Sequence, residues 1–301
     1  MTAAADLVLR GGDIHVGGET YGALAVRDGR VVRRSNEYEG QFLTGVETEV
    51  VDLDGRTVLP GFVDPRAELG GVDSLRERAR TGVTAVHAVT TPERAAECRD
   101  AAGATALPLR VRLQYPETLR SSLLDAGLRT NHGELVEVGG LRVPVEAGFA
   151  ERALAAAEAG FQVVLEAATP EEAEDAAAAL ADCRGERHVI EGAVPRSFGA
   201  FGGVVVTDGG TDGLARVLDS DATLALGGGD PLRTVARAVE SGLAPEAALR
   251  AHTRGGRIAG FAEGSAAADF VAFDGDLFDD PGTAAVALTV SRGAIVYDAL
   301  D

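Results

Sequence analysis

Apolar and polar positions alternate in short runs at both ends of the chain. The runs are punctuated by Gly11-Gly12, Asp28-Gly29 and Asp54-Gly55, a pattern typical of β-strands joined by tight turns. Neither end has enough strands to bury a face by itself, so we expect the two ends to share one small β-sandwich. Its expected strands are 6–10, 23–26, 30–33 and 49–53 from the first segment, and 270–273, 286–290 and 294–297 from the last.

The middle of the chain changes to apolar runs followed by helical stretches rich in alanine, glutamate and arginine. Thr169 and Pro170 mark one helix start, because threonine caps a helix and proline suits its first turn. Eight such units predict a compact (β/α)₈ TIM-like barrel over 58–265, close to the usual lower size of about 200 residues. We therefore predict an α/β protein, with the β-sandwich formed by 1–57 and 266–301. The apolar runs begin near Thr57, Val83, Leu107, Leu141, Phe161, Arg187, Gly203 and Ala222.

Charge narrows the class of protein. Among 301 residues, 47 are acidic and 28 are basic, all of these arginine, which gives a net charge of −19. An acid excess keeps a protein soluble in concentrated salt, so we interpret the chain as halophilic and cytoplasmic. A nucleic-acid partner needs a basic stripe, which is missing.

The apolar runs argue against a membrane protein, and the cysteines argue against a cysteine-ligated metal site. The apolar runs fall short of the roughly 20 residues that span a bilayer, and no secretory-signal pattern opens the chain. We therefore expect no membrane association. Cys98 and Cys183 make no metal-type spacing and are expected to be reduced.

Three stretches resemble the amidohydrolase superfamily. The first is 6–12 together with 25–31, which resembles the opening sandwich strands, and the second is 52–64, which is similar to the entry into barrel strand 1. The third is 246–254 with Gly264-Ser265 and 268–271, which is similar to the closing helix and the return to the sandwich. Thr253-Arg254-Gly255 and the strand-8 segment are closer to the formamide-deformylase-like branch.

This resemblance implies a hydrolase of carbon–nitrogen bonds other than peptide bonds, in which one or two divalent ions activate water. The superfamily's first ligands are a His-X-His pair after strand 1, and here Arg66 and Glu68 stand at those positions. Arginine cannot ligate a cation. The bridging group is usually a carboxylated lysine near strand 4, but the chain has no lysine and Arg142 falls about there.

The remaining ligand positions have changed as well. The strand-5 histidine corresponds to Glu166, and the strand-6 histidine to Gly192, next to Glu191. The strand-8 aspartate aligns with Gly228 or Gly229, with Asp230 beside them. By the family pattern we therefore expect no bound metal and assign no other cofactor.

Other residues at the expected strand ends leave an atypical site open. His87 lies near the end of strand 2, where a barrel places its active site. Carboxylates around the mouth can hold a hard ion through oxygen alone, or they can be only part of an acidic surface. Alternatively, Arg66 pairs with Glu68 or Glu166 and an internal ion pair replaces the charge of the metal. The carboxylates are Asp64, Glu68, Glu146, Glu166, Glu191, Asp208 and Asp230.

Three hypotheses follow. The first is an amidohydrolase homologue that has lost catalysis and acts in binding, regulation or oligomer formation. The second is an active hydrolase with an atypical carboxylate-rich site for Zn, Mn or Mg, and the third is a metal-free acid/base enzyme. For all three we expect a small-molecule ligand and a homo-oligomer. The candidate catalytic residues are Asp230, Glu166 and Glu191, and the candidate pocket residues are Arg66, Glu68, His87, Arg142 and Asp208.

Overall fold

The structure of the protein is a computed structural model, which describes residues 4–36, 44–104, 107–185, 187–260 and 267–300. Two sheets of eight strands each organise these residues. The Gly264-Ser265 pair and the predicted domain boundary between 265 and 266 lie outside the described residues.

The strands fall into three groups along the chain. Five come first, eight follow in the middle, and three close the chain. The first five are β1 (Leu7–Val16), β2 (Glu19–Arg27), β3 (Arg30–Ser35), β4 (Glu49–Asp52) and β5 (Thr57–Pro60). The middle eight are β6 (Phe62–Glu68), β7 (Val83–Val89), β8 (Arg110–Pro116), β9 (Val136–Pro144), β10 (Gln162–Ala167), β11 (Val189–Gly192), β12 (Val204–Thr207) and β13 (Thr223–Leu226). The last three are β14 (Phe270–Asp274), β15 (Ala285–Ser291) and β16 (Ala294–Asp298).

Helices connect most of the middle strands. The chain runs from β11 to β12 through 193–203 without a helix. No helix in the described part of the chain is both long enough and apolar enough to cross a membrane. The helices are α1 (Val72–Arg80), α2 (Pro92–Gly103), α3 (Arg120–Asp125), α4 (Phe149–Glu158), α5 (Pro170–Ala181), α6 (Leu214–Leu218), α7 (Pro231–Glu240), α8 (Pro245–Arg250) and α9 (Gly256–Ile258), with a 3₁₀ turn at Glu117–Leu119 and a π-helical turn at Ala251–Gly255.

The middle strands form the predicted barrel. Strands β6 to β13 lie side by side in sequence order, and each neighbouring pair is parallel. Residues alternate between an outer face that packs on the helices and an inner face. Leu165 and Ile190, for example, belong to the large outer core, whereas Val164 and Val189 belong to a separate inner cluster. The prediction of a (β/α)₈ barrel is confirmed.

The two chain ends share the other sheet, as predicted. Its order is β16-β15-β14-β5-β1-β2-β3, and β4 pairs with β1. Leu9, Leu24, Val58 and Val290 pack in one core that combines residues from both ends. The composite β-sandwich is therefore confirmed.

The composite sheet extends past residue 57, where we predicted the first segment to end. β5 pairs with β14 from Thr57 to Pro60, so the barrel begins only after Gly61. A side chain at Gly61 would come within 2.3 Å of Thr84, so glycine allows the chain to pass this close to β7. The chain therefore passes from one sheet to the other at a glycine, the residue with the fewest steric restrictions.

Asp64 connects the first and last strands of the barrel. Its Oδ1 accepts hydrogen bonds from the backbone N–H of Arg66 at 3.0 Å and of Gly228 at 2.9 Å. Its other oxygen pairs with Arg78, and the side chain is completely buried. A side chain at Gly227 would come within 2.7 Å of this carboxylate, so glycine permits the close approach of β13.

The end of the barrel at which the strands begin is filled by the segment that follows the π-helical turn. Ala259 packs against Val164, Val189 and Val204 inside the barrel. The amide of Gln162 donates to the carbonyl of Ala259 at 2.7 Å. Because this base is closed by packing, the mouth at the carboxyl ends of the strands is the open side.

The helix cap predicted at Thr169 is present and can be tested. The Thr169 hydroxyl accepts from the backbone N–H of Glu172 at 3.2 Å, and Glu172 accepts in return from the backbone of Thr169 at 3.3 Å. We expect Thr169→Ala to lower the free energy of unfolding by about 1 kcal/mol, because one N–H of α5 loses its acceptor. Urea unfolding measures the change, with Thr169→Ser as the control that keeps the cap. Equal losses in both variants would contradict a capping role.

Candidate functional site at the barrel mouth

Arg142 occupies the centre of the barrel mouth. It lies on the inner face of β9 and is only 8% exposed. Its Nη1 donates to Gln114 at 2.7 Å and to Glu191 at 2.8 Å, and its Nη2 donates to Glu191 at 2.7 Å. Its Nε donates to Glu166 at 2.8 Å, and its Nη2 also contacts that carboxylate. One guanidinium therefore joins strands β8, β9, β10 and β11.

Electrostatics keep this guanidinium charged. Burial alone would lower the pKa of Arg142, but hydrogen bonds and charge interactions with Glu191 and Glu166 outweigh burial and raise the pKa. Because arginine ordinarily stays protonated and this pKa is raised further, the centre of the mouth holds a fixed positive charge over the whole physiological range.

Glu191 receives a second arginine. The Nε of Arg66 lies 3.1 Å from Glu191 Oε1, so Glu191 lies between two guanidinium groups. The alternative in which Arg66 pairs with Glu68 or Glu166 is therefore wrong. The strand is irregular between Asp64 and Ala67, where its register with β7 shifts, and Glu191 is the carboxylate within reach of Arg66.

Beside this network lies an open cavity of about 590 Å³. Three of the predicted carboxylates, Glu166, Glu191 and Asp208, line it together with Arg66. Asp208 follows β12, and its Oδ1 accepts from the backbone N–H of Gly210 at 3.1 Å and from the Thr211 hydroxyl at 3.4 Å. The structure thus brings Arg66, Arg142, Glu166, Glu191 and Asp208 together at the mouth.

Other acids expected around the mouth have structural or surface positions. Asp64 is buried between strands, and Glu146 is exposed and pairs with Arg152 at 3.2 Å. Asp230 caps α7 by accepting from the backbone N–H of Arg233 at 3.0 Å, and it does not line the cavity. Glu68 is exposed at the end of β6 and likewise does not line the cavity.

His87 faces the interior of the barrel rather than the cavity. It is 1% exposed, and a side chain at Gly260 would come within 2.4 Å of its ring. Burial is the main cause that holds the pKa of His87 well below its ordinary value, followed by the charges of Arg112 and Arg110. The imidazole is therefore neutral in the folded protein.

This buried imidazole makes stability depend on pH. The unfolded chain takes up a proton at His87 below about pH 6.5, whereas the folded chain resists it, so stability is complete above that pH and falls as pH decreases. We expect the free energy of unfolding to decline from about pH 8 to about pH 5.5, and less steeply in His87→Gln. Guanidinium chloride titrations at each pH measure the slope. The same slope in both proteins would show that His87 does not contribute.

Gln114 is a site residue that we did not predict from the sequence. It is 1% exposed and accepts a hydrogen bond from Arg142. A signal was present, because Arg110, Arg112 and Gln114 alternate with apolar residues along β8. In a barrel strand that alternation places all three polar side chains on the inner face.

The residues at the mouth do not fit the metal centre that the resemblance implies. The oxygens of Glu191 are already bonded to arginine, and Arg66 stands at the first ligand position. Within the described ranges, no group of three or more His, Cys, Asp or Glu residues is arranged to hold a metal ion. Instead, the guanidinium of Arg142 lies between Glu166 and Glu191 at the centre of the mouth.

Comparison with solved structures identifies the fold. An uncharacterized metal-dependent hydrolase from Pyrococcus furiosus is similar over 91% of this chain and 100% of its own, with a TM-score of 0.74 and 12% identity. E. coli guanine deaminase is similar over 97% of this chain and 99% of its own, with a TM-score of 0.69 and 14% identity. Molinate hydrolase is similar over 98% and 95% of the two chains, with a TM-score of 0.72 and 14% identity. The chain has the fold of metal-dependent hydrolases and amidohydrolases.

Sequence comparison gives a short match of the same kind. Imidazolonepropionase from Symbiobacterium thermophilum is 52% identical over 50 residues, which cover 16% of this chain and 12% of that protein. The match thus spans about an eighth of the length of that relative. No protein-family model matches the sequence.

Proposed function

We propose that the protein is a member of the amidohydrolase superfamily in which a fixed arginine has replaced the catalytic metal, and that its barrel mouth binds a small molecule without metal-dependent hydrolysis. The observation that carries this proposal is the position of Arg142, whose guanidinium bonds to Glu166 and Glu191 at the centre of the mouth.

The chemistry of arginine supports the loss of hydrolysis. A catalytic metal keeps an open coordination position where it binds water and lowers the pKa of that water. A guanidinium has only hydrogen-bond donors and accepts no water ligand, so it supplies charge without a nucleophile. Arg142 therefore preserves the positive centre of the mouth but not its reaction.

An active hydrolase of carbon–nitrogen bonds is the second candidate. The structural likeness to guanine deaminase and molinate hydrolase favours it. It would require Glu166 and Asp208 to recruit a divalent ion beside Arg142, with oxygen ligands alone. A metal-free reaction would instead use these carboxylates as acid and base.

Metal loading and turnover separate these functions. We expect protein that is incubated with Zn²⁺, Mn²⁺ or Mg²⁺ and then desalted to hold no stoichiometric metal by elemental analysis. We also expect it to leave a panel of amides, cyclic amides and aminopurines unchanged. The metal-dependent hydrolase from Pyrococcus furiosus, treated in the same way, is the positive control for loading. Stoichiometric metal together with turnover would overturn the proposal in favour of the second candidate.

We also propose that the acidic surface is an adaptation to a salt-rich cytoplasm. A net charge of −19 destabilises the folded chain by self-repulsion, which salt screens. We expect the thermal unfolding midpoint to rise when KCl increases from about 0.1 M to about 2 M, where the screening length falls below about 3 Å. Differential scanning fluorimetry measures the midpoint, and a decrease would contradict the adaptation. We further propose that the protein forms a homo-oligomer, and light scattering at both salt concentrations tests its oligomeric state.

A further inference from the structure

We propose that the ligand of the barrel mouth is a small zwitterion, which carries a carboxylate that binds Arg66 and a protonated amine that binds Glu166 and Asp208. This inference rests on the proposed binding function and names the chemical class of ligand. The inference is based on the hydrogen-bond donors and acceptors that remain available in the cavity.

Arg66 supplies the donor side of the cavity. Its Nε lies 3.1 Å from Glu191 in an ion pair, and Glu191 is 5% exposed and is itself fixed by Arg142. The Arg66 side chain is 43% exposed, and its two terminal nitrogens make no hydrogen bond within the described ranges. A guanidinium whose terminal N–H groups are available is suited to bind a carboxylate through two bonds.

Glu166 and Asp208 supply the acceptor side. Arg142 contacts only Oε1 of Glu166, and the side chain is 41% exposed. Gly210 and Thr211 bond only to Oδ1 of Asp208. The second oxygen of each carboxylate makes no hydrogen bond in the part of the chain that the structure describes. Both residues line the cavity with Arg66, so a protonated amine there would have two acceptors.

The charge balance of the cavity favours a zwitterion over simpler ligands. Four carboxylates line it, those of Glu166, Glu191, Asp208 and Asp212, and the two arginines Arg66 and Arg142 offset only part of their charge. An anion without a positive group would be repelled by this excess of negative charge. A cation without a negative group would gain nothing from the terminal donors of Arg66, which would stay bonded to water. A zwitterion satisfies both sides, and Ala167, Ala193 and Val194 provide apolar wall for its carbon chain.

A matched set of three probes tests this class. Norvaline carries both groups, butylamine lacks the carboxylate, and pentanoate lacks the amine, while the carbon chain stays nearly constant. At fixed ionic strength, isothermal titration calorimetry should show that norvaline binds at least about tenfold more tightly than either of the others. Equal binding of butylamine would overturn the role of Arg66, and equal binding of pentanoate that of the carboxylates. No binding of any probe would overturn the proposal as a whole.

Two variants assign the ends of the ligand. Arg66→Gln should reduce the affinity for norvaline to that for butylamine, and Asp208→Asn should reduce it toward that for pentanoate. Arg76→Gln is the control, because Arg76 is exposed on α1, pairs with Asp73 and does not line the cavity. Circular dichroism melts verify that each variant is folded. If the control loses as much affinity as the site variants, binding lies elsewhere.

Failure here is distinguishable from failure of the proposed function. Stoichiometric metal and turnover would contradict the loss of hydrolysis whatever the probes do. Conversely, a protein without metal or turnover that prefers butylamine or pentanoate to norvaline contradicts only the zwitterion.

Discussion

Arg142→Met is expected to lower the free energy of unfolding by as much as about 3–5 kcal/mol, because the buried Glu191 loses the more buried of its two arginine partners and keeps only Arg66. Glu191 is 5% exposed and receives two bonds from Arg142. Methionine fills most of the space of the arginine stem without its charge. Glu166 and Glu191, which lie side by side in register, would then repel each other at close range.

Denaturant unfolding measures this loss, and two further variants interpret it. Arg76→Met removes an exposed arginine that pairs with Asp73 and should cost at most about 1 kcal/mol. Combining Arg142→Met with Glu191→Gln should cost less than the sum of the single variants, because the double variant no longer buries a carboxylate that has lost Arg142. A loss below about 1 kcal/mol for Arg142→Met would mean that the network is solvated rather than buried.

Asp64→Ala is expected to have an effect of similar size for a different reason. The completely buried carboxylate accepts from two backbone N–H groups and pairs with Arg78. Its removal leaves both amides unsatisfied at about 1–3 kcal/mol each. The total loss is about 3–5 kcal/mol, and it falls on the seam where the first and last barrel strands meet.

Asp64→Asn separates the two contributions of this carboxylate. The amide oxygen of asparagine can still accept from Arg66 and Gly228, but the ion pair with Arg78 is gone. We expect about half the loss of the alanine variant. Hydrogen exchange at Gly228 should become faster in Asp64→Ala and change little in Asp64→Asn. Equal loss in both variants would assign the effect to Arg78 rather than to the closure of the barrel.

Much of the fold could be predicted from local patterns. The alternation in 7–16 and 285–291 defines the sandwich strands, and the Gly227-Gly228-Gly229 run marks a tight turn, where Gly228 and Gly229 adopt φ of 89° and 111°. The barrel was predicted from its repeated strand–helix units. The apolar run from Thr57 was assigned to the barrel instead of the sandwich, because whether Thr57–Pro60 pairs with β14 or begins the barrel depends on contacts across the whole chain.

The sequence predicted several residues that lie at the candidate site, but not which of them pair with each other. Arg66, Arg142, Glu166, Glu191 and Asp208 were identified from their positions near strand ends. Asp230 caps α7 instead. It directly precedes Pro231 at the start of the helix, and its carboxylate accepts from the helix backbone rather than facing the cavity. His87 occupies a strand position that faces inward as expected, but Gly260 and Arg112 pack above it in the filled part of the barrel.

The sequence by itself determined the two-part α/β architecture and the excess of negative charge, since each is a property of residue type and local period. Only the tertiary structure decided that Arg142 bonds to Glu166, 24 residues away, and to Glu191, 49 residues away, and that Arg66 pairs with Glu191. Parallel strands bring their carboxyl ends to one rim, but their register and the irregularity in β6 are set by long-range packing. Which charges meet there is therefore a consequence of the closed barrel and not of any local pattern.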